Sequence, residues 1–443
     1  MTAKSPSLAH IVAASSVGTM IEFYDFFIFA SLAPVLATQF YPPSDPNVGF
    51  FSTLLTLAVG VAVRPIGSLI FGRVGDTVGR KTTFLITLLV MGGSTAAIGM
   101  LPGFKTIGYA APVLLLLLRI SQGLALGGEY AGAATYVAEH APEHRRGFYT
   151  GFVQAMPTVG LFASTVSVLA ARRFIGEPAF STWGWRVPFL ISLLLVAVSY
   201  YMRMRLEESP IFSALKRSGR TSPSPIRESF ATWSRLKVSL VVLFGISAGQ
   251  AVLAYTSQVY ALFFLQRTLK VPTDTSYIVM AFAFFFVAPV FLIVAALSDR
   301  IGRKQLMMAG NLLGALAFYP IYRGLAHYAN PLNAPMLAFL LFLQMLPIAI
   351  VFGPFAAYTV ETFPARIRYT SVSVPYHIGN GWFGGFLPLI ASAIVAKTGD
   401  SYSWLLYPIA VLVMSVIVGT LFVDESFRNR IWREVEPSPN ASS

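Results

Sequence analysis

The chain has no cysteine and little charge. Its 443 residues are only 12% charged, whereas a soluble domain carries about 25%. This excludes a soluble enzyme or signalling domain, because too few polar side chains remain to cover one. Without cysteine, no disulfide framework, iron–sulfur cluster or thiolate zinc site is expected. Phosphate-loop and HExxH motifs are also missing, so we expect no ATP-driven chemistry, no metal site and no enzyme.

Long apolar stretches dominate what is present. Hydrophobic residues make up 55% of the chain, and runs of about 20 apolar residues, each long enough to cross a membrane, recur along it. These runs predict an all-α membrane protein with twelve transmembrane helices. The predicted spans are 12–40, 50–71, 83–101, 111–137, 148–170, 186–205, 238–265, 275–297, 305–322, 335–360, 371–396 and 403–423.

Lysine and arginine are unevenly distributed between the two sides of the predicted bundle. Of the 32 cations, 22 fall on the side of the termini, eight fall on the other side, and Arg64 and Arg119 lie within spans. The terminal side includes Lys4 and the central loop, to which Arg203 and Arg205 are assigned. Because cytoplasmic loops carry the excess of cations, both termini are predicted to be cytoplasmic. The net charge of +13 then faces anionic lipid rather than nucleic acid.

Two polar motifs recur about half a chain apart. The segment 72–81 returns in weaker form at 296–304, at an offset of 223 residues. A second motif, Glu139, Pro142 and Arg146, returns at an offset of 222 as Glu361, Pro364 and Arg368. Two repeats at nearly one offset predict two pseudo-symmetric halves of six helices each. The predicted division is an N-terminal half 1–205, a cytoplasmic linker 206–237, a C-terminal half 238–424 and a short tail 425–443.

The linker contains a Ser-Gly-Arg-Thr-Ser-Pro-Ser-Pro stretch at 218–225. Glycine, serine and proline at this density are typical of a flexible connection. We therefore expect this loop to be a tether between the two halves.

Several motifs carry a family resemblance. The segment 72–81 resembles the signature of the major facilitator superfamily, and Arg119-Ile-Ser-Gln122-Gly123 resembles the Arg-x-x-Gln-Gly motif of the same superfamily. Further segments resemble its metabolite:proton symporter branch: 18–26, 63–65, 127–130, 184–189 and 208–212. That branch includes carriers for citrate, 2-oxoglutarate, shikimate, proline and betaine.

The resemblance implies a transporter of the major facilitator fold in a bacterial-type inner membrane. It implies import of a small metabolite together with protons by alternating access, with the proton gradient as the energy source and no bound cofactor. We expect the substrate to be a small organic acid. We expect the chain to lie in the lipid bilayer, to bind no nucleic acid and to function as a monomer.

Three carboxyl groups lie within predicted spans of the first half. Glu22 and Asp25 are three residues apart and share one helix face, and Glu129 lies in the fourth span. A carboxyl group buried in a membrane is costly, and its retention points to a function such as reversible protonation. We predict proton coupling at Asp25, Glu22 or Glu129, electrostatically linked to Arg64 or Arg119. The alternative is a set of static ion pairs between helices.

The substrate is expected near the middle of the membrane, between the halves. Two arginines of the first half can bind a carboxylate through paired hydrogen bonds, and neutral polar groups of the second half can recognise the remainder. The predicted substrate-binding residues are Arg64, Arg119, Gln122, Tyr255, Gln258, His377 and Asn380.

The repeated charged loops are predicted to control access. Asp76 can cap the N-terminus of a neighbouring helix, and Arg80 can pair with a carboxylate such as Glu139. Both contacts would hold the cytoplasmic side closed, and Asp299 and Arg303 are their repeats in the second half. We predict a gating role for all five residues.

Two other functions remain open at this point. The same buried acids and arginines would also serve a carrier for a zwitterion, such as a betaine or an amino acid. A membrane sensor that does not transport is the third possibility, although neither the linker nor the tail has the length expected of an output domain. The tail also lacks heptads, which disfavours an osmolyte carrier gated through a C-terminal coiled coil.

Overall fold

The structure is a computed structural model that describes residues 7–42, 46–204 and 206–426. Lys4, Arg205 and the segment 427–443, which contains most of the predicted tail, lie outside the described residues. Within the described ranges, all regular secondary structure is helical.

Twelve long helices account for most of the described chain, as the apolar runs predict. Their bounds are α1 Leu8–Ser31, α2 Val48–Thr77, α3 Arg80–Met100, α4 Ala110–His140, α5 Arg146–Ile175, α6 Arg186–Met204, α7 Trp233–Thr268, α8 Thr273–Ile301, α9 Arg303–Ala329, α10 Ala334–Thr362, α11 Ala365–Thr398 and α12 Ser403–Phe422.

Eleven of these helices are long and apolar enough to cross a membrane. The remaining one, α9, has 27 residues and is therefore about 40 Å long, which also exceeds a hydrocarbon core. It falls short in hydropathy because it carries two cations at its start, Asn311 in its interior and Arg323 near its end. It packs against α10 and α12 in the place predicted for a ninth span.

The helices are packed closely within each group of six. Between the groups, α5 packs along α8 and α2 packs along α11, and α10 also contacts α4 and α5. Within the first group, α2 and α4 approach unusually closely because glycine faces backbone at their crossing. A Cβ atom on Gly123 would collide with the carbonyl oxygen of Gly60, and one on Gly127 with the carbonyl of Arg64. Small residues permit this approach in membranes, where close packing replaces the hydrophobic effect.

The segment predicted to be a tether has more structure than expected. It forms two short helices, Pro210–Arg217 and Pro225–Phe230, and α7 already begins at Trp233. Ile211 and Leu215 are buried against the ends of α4 and α10. The prediction of a flexible loop therefore fails, because these apolar side chains dock on the bundle. We call the end of the bundle that carries this segment the linker face, and the other end the opposite face.

Candidate functional site

A small central cavity lies between the two groups of helices. It is bounded by α1, α2 and α5 on one side and by α7, α8, α10 and α11 on the other. Its lining residues are Phe23, Phe27, Arg64, Pro157, Thr158, Gln250, Ala254, Tyr255, Gln258, Phe291, Ile348, Phe352, Tyr376 and Asn380. Four of the predicted substrate-binding residues, Arg64, Tyr255, Gln258 and Asn380, are brought together here.

Among the described residues that line this cavity, Arg64 is the only charged one. The chain bends at Val63, and α2 continues from Arg64 with proline in the next position. The residue is 2% exposed, and neither its Nε nor its Nη2 atom has a hydrogen-bond partner in the described part of the chain. Its guanidinium lies 5.7 Å from the ring centre of Phe26 and 6.0 Å from that of Tyr376. A buried cation without an anion is costly, so the cavity is suited to an anionic ligand.

The neutral polar groups of the cavity are held by hydrogen bonds. The Asn380 amide donates to Gln250 Oε1 over 2.9 Å, and the Gln258 amide donates to Thr158 Oγ1 over 2.8 Å. Wide, π-helical turns at Tyr255–Tyr260 and Gly379–Gly384 form the parts of α7 and α11 that meet here. Such turns are frequent at functional sites because they redirect side chains from the regular helical face.

Six aromatic rings form most of the remaining cavity wall: Phe23, Phe27, Tyr255, Phe291, Phe352 and Tyr376. Tyr376 also stacks on Tyr130, with 3.8 Å between the ring centres. The sequence reasoning missed this wall. Phenylalanine and tyrosine are abundant throughout the chain, so only the packing of helices distinguishes the rings that face the cavity.

Three predicted substrate-binding residues lie outside the cavity lining. Arg119 donates to Gln122 Oε1 over 2.6 Å, and its guanidinium lies 4.4 Å from the ring centre of Phe26. Gln122 in turn donates to Thr95 Oγ1 over 2.7 Å. His377 is buried beside Tyr376, and neither ring nitrogen has a hydrogen-bond partner among the described residues. Arg119 and Gln122 thus form contacts within the first group of helices.

Two of the predicted proton-coupling residues form one buried ion-pair cluster. Arg203 pairs with Glu22 over 3.0 Å and makes a short contact with Glu129, which also accepts from Thr87 over 3.0 Å. The charge count assigned Arg203 to the central loop, although the predicted sixth span, 186–205, includes it, and that assignment is wrong. Helix α6 extends to Met204, and the Arg203 side chain, 1% exposed, is buried among α1, α3 and α4. The sequence alone does not distinguish a buried cation near the end of a span from a cation of the adjoining loop.

Asp25 is buried differently. It is fully buried, and neither carboxyl oxygen has a hydrogen-bond partner in the part of the chain that the structure describes. Although Glu22 and Asp25 are one helical turn apart, only Glu22 has a cationic partner. Burial without such a partner favours the neutral acid.

The repeated acidic residues of the linker face both cap helices of the other group. Asp76 accepts from the backbone N–H groups of Tyr369 and Thr370 over 3.2 and 2.9 Å. Asp299 accepts from those of Gly147 and Phe148 over 2.8 and 2.9 Å. Each carboxylate therefore joins the two groups of helices at the start of α11 or α5, where a helix N-terminus attracts negative charge.

Arginine–glutamate pairs reinforce both caps. Arg368 donates to Glu139 over 2.9 Å, and its repeat partner Arg146 donates to Glu361 over 2.8 Å. Arg80 lies 3.8 Å from Glu139, and Arg303 donates to Glu361 over 2.8 Å.

Beyond this layer, Glu208 caps the start of α3 over 3.1 Å and Glu425 makes short contacts with the start of α9. The linker face is closed by two copies of one arrangement.

The opposite face is also bridged between the groups. Arg172 of α5 donates to Asp274 of α8 over 3.1 Å, and the Tyr277 hydroxyl donates to the carbonyl of Ser31 over 2.6 Å. Contacts between the groups at both faces thus enclose the central cavity. A ligand can reach the cavity from either face only if the groups move apart there.

Comparison with known proteins gives the family. Residues 11–224 match the family described as "Sugar (and other) transporter", and residues 251–440 match the "Major Facilitator Superfamily". The chain is 34% identical to the inner membrane metabolite transport protein YhjE of Escherichia coli, over 88% of each chain. It is 30% identical to the glycine betaine/proline/ectoine/pipecolic acid transporter OusA of Dickeya dadantii, over 95% of this chain and 84% of that one.

A solved structure shares the fold. The crystal structure of a D-xylose–proton symporter aligns with a TM-score of 0.72 and 18% identity, over 96% of this chain and all of that one. The repeated motifs, the twelve helices and these matches agree with one another. The chain therefore belongs to the major facilitator superfamily of membrane transporters and is not an enzyme.

Proposed function

We propose that the chain is a proton-coupled symporter that imports a small organic acid by alternating access of its two halves. The observation that carries this proposal is Arg64, a buried cation without an ion-pair partner that faces the central cavity. A substrate carboxylate would neutralise it through paired hydrogen bonds. Gln250, Gln258 and Asn380 would then bind hydroxyl or carbonyl groups of the substrate.

Asp25 is the proposed proton site. Glu22 and Glu129 share the cation of Arg203 and fit a static ion pair, whereas Asp25 has no cationic partner to stabilise its charged form. Asp25 belongs to α1, which also supplies Phe23 and Phe27 to the cavity wall. Loss or gain of its proton would change how α1 packs against its neighbours and thereby link protonation to the shape of the substrate site.

The closed linker face supports a gating role for Asp76 and Arg80, for Glu139, and for their repeats Asp299 and Arg303. We propose that these contacts break when the linker face opens and re-form when it closes. With the predicted orientation, this face opens to the cytoplasm and releases the substrate there.

A zwitterionic substrate is the second candidate, and the aromatic cavity wall favours it. A quaternary ammonium group is attracted to the faces of aromatic rings, while its carboxylate would bind Arg64. None of the described residues that line the cavity is a carboxylate, so a primary ammonium group would have no ionic partner there. Among zwitterions, a betaine therefore fits better than an amino acid.

Substrate-induced current on a solid-supported membrane tests these proposals. Purified protein in liposomes would receive small carboxylates, hydroxy acids and betaines at pH 6 and pH 8. We expect a current with an organic acid that is larger at pH 6. A current with betaines alone would establish the second candidate, and no current from folded protein would contradict both.

The Arg64→Gln variant makes the test specific. We expect it to remain folded, because it removes an unpaired buried charge, and to lose substrate-induced current. Arg119→Gln is the matched control: it removes a buried guanidinium outside the cavity lining. We expect lower thermal stability from the control but a current that remains. Loss of current in Arg119→Gln with a normal current in Arg64→Gln would overturn the proposed site.

A further inference from the structure

A groove between α5 and α8 opens at the linker face. Its volume is about 760 Å³, and three basic residues, His144, Arg145 and Arg300, are exposed at its rim. Within the described residues, neither arginine forms an ion pair. The rim therefore combines two permanent positive charges with a large open volume.

The remainder of the groove is apolar. Phe148 lies on α5, and Ile293 and Leu297 lie on α8, along with Leu292 and Ala296. Ile293 is 65% exposed and Leu297 is 40% exposed. Both α5 and α8 are membrane-spanning helices, so these side chains lead from the charged rim towards the hydrocarbon region.

One acidic residue, Asp299, also lines the groove but does not neutralise the rim. Its two oxygens accept from the N–H groups of Gly147 and Phe148, and it pairs with Arg303 over 3.2 Å. Arg145 and Arg300 thus remain available to an external anion.

The internal repeat provides a counterpart for comparison, between α2 and α11. At the repeat offset, Arg300 and Arg145 correspond to the neutral Thr77 and Ile367, whereas His144 and Ala296 correspond to Arg366 and Arg73. The short linker helix Pro225–Phe230 packs there, against α2 and against α11, including the first turn of α11. Its Glu228 pairs with Arg366 over 2.6 Å, and its Ser229 accepts from Ser371 over 2.8 Å.

The α2–α11 and α5–α8 positions differ in the source of the acidic group that faces the basic residues. At the α2–α11 position, the chain itself provides a carboxylate on a segment whose Pro225 and Ser229 are buried. At the α5–α8 position, Arg145 and Arg300 are exposed and form no ion pair within the described residues. An anionic group carried on an apolar body would complete this second position in the same way.

We propose that the α5–α8 groove binds an anionic phospholipid, with its phosphate between Arg145 and Arg300 and an acyl chain along Phe148, Ile293 and Leu297. Guanidinium groups bind phosphate oxygens through paired hydrogen bonds, and basic pockets beside transmembrane helices are suited to anionic head groups. The apolar groove favours a lipid over a soluble phosphate. This site is separate from the central cavity, and the proposal does not depend on the transported substrate.

Native mass spectrometry of the detergent-purified full chain tests the proposal. The protein would be titrated with phosphatidylglycerol, phosphatidylethanolamine and phosphatidylcholine of identical acyl chains. We expect one phosphatidylglycerol to bind in preference to the other two. In the Arg145→Gln/Arg300→Gln variant, its affinity should fall about 30-fold, because each cation near a membrane contributes about 1 kcal/mol towards an anionic lipid.

Matched variants distinguish lipid binding in this groove from non-specific binding to surface charge. Arg217→Gln/Arg220→Gln removes two exposed linker arginines and should leave binding unchanged, whereas Ala296→Trp fills the groove without a charge change and should weaken it. Millimolar glycerol 3-phosphate should not displace the lipid. Equal binding by wild type and the Arg145→Gln/Arg300→Gln variant would overturn the proposal, as would an equal loss in the linker control or displacement by glycerol 3-phosphate.

Discussion

Individual buried charges of the first six helices differ in whether they have a partner. Glu22, Glu129 and Arg203 compensate one another, so their burial is stabilised by their own attraction. Asp25, Arg64 and Arg119 have no ion-pair partner among the described residues, but Arg119 donates to Gln122 and lies outside the cavity lining. Uncompensated charges in a membrane mark sites where an ion or substrate binds. The proton is therefore best sought at Asp25, and the substrate at Arg64, which lines the central cavity.

The Asp25→Asn variant should separate proton coupling from substrate movement. The amide has the shape of the neutral acid, so we expect a change of less than about 1 kcal/mol in the free energy of unfolding, since no ion pair is lost. Accumulation driven by a proton gradient should be abolished, while exchange of labelled for unlabelled substrate continues. Transport assays in liposomes, with and without a pH gradient, measure both quantities.

Glu22→Gln is the matched control, one helical turn away on the same helix. Removal of one member of a buried ion pair costs about 3–5 kcal/mol, although Glu129 remains to pair with Arg203. We expect a lower melting temperature and retained coupling in the folded fraction. If Glu22→Gln or Glu129→Gln abolished accumulation and Asp25→Asn did not, the proton site would lie in the Arg203 cluster instead.

Among the elements, the crossing of α2 and α4 depends most on glycine. Gly123 faces the carbonyl oxygen of Gly60, so Gly123→Ala must push the helices apart. We expect a loss of about 1–3 kcal/mol, as is typical of overpacking, measured as a lower melting temperature in detergent. Gly93→Ala in α3 is the control, since nothing lies within 4 Å of its added Cβ. A melting temperature as low in the control would contradict this packing argument.

The sequence predicted the long helices because length and apolar composition identify a membrane span without tertiary information. It also indicated that Asp76 can cap a neighbouring helix, because a helix N-terminus attracts negative charge. It did not identify the helix Pro225–Phe230, because six residues with one proline carry too short a pattern. It placed Arg203 within the predicted span 186–205 but counted it with the loop, because the sequence does not show that Glu22 and Glu129 of other helices meet its side chain.

At the scale of the whole molecule, closure of the linker face is duplicated. Asp76 holds the start of α11, and Asp299 holds the start of α5. The caps involve separate helices and different partners, so their contributions should be close to additive. The central cavity, in contrast, could not be predicted as a set of residues. Helical periodicity specifies which residues of one helix share a face, but not which faces of α1, α7 and α11 meet.

Loss of either cap should shift the chain towards a state that is open at the linker face. A cap contributes about 1 kcal/mol, so Asp76→Asn and Asp299→Asn should each raise the open population about 5-fold. The double variant should raise it by about the product of the two. A single cysteine introduced at Gln250, with membrane-impermeant reagents applied from each side, measures this population. Labelling that is unchanged in all three variants would exclude a gating role for the caps.

The charge around the cavity is divided unequally along the chain. Asp25 and Arg64 belong to the first six helices, whereas Gln250, Tyr255 and Asn380 of the last six are neutral. The first half thus holds the proposed proton site and the arginine that would bind the substrate carboxylate, and the second half holds much of the neutral surface that would distinguish one substrate from another. Substitutions in α7 and α11 can therefore alter selectivity and leave the energy source intact. We expect a chimaera of α1–α6 from this chain and α7–α12 from a relative to transport the substrate of that relative and to keep the proton coupling of this chain.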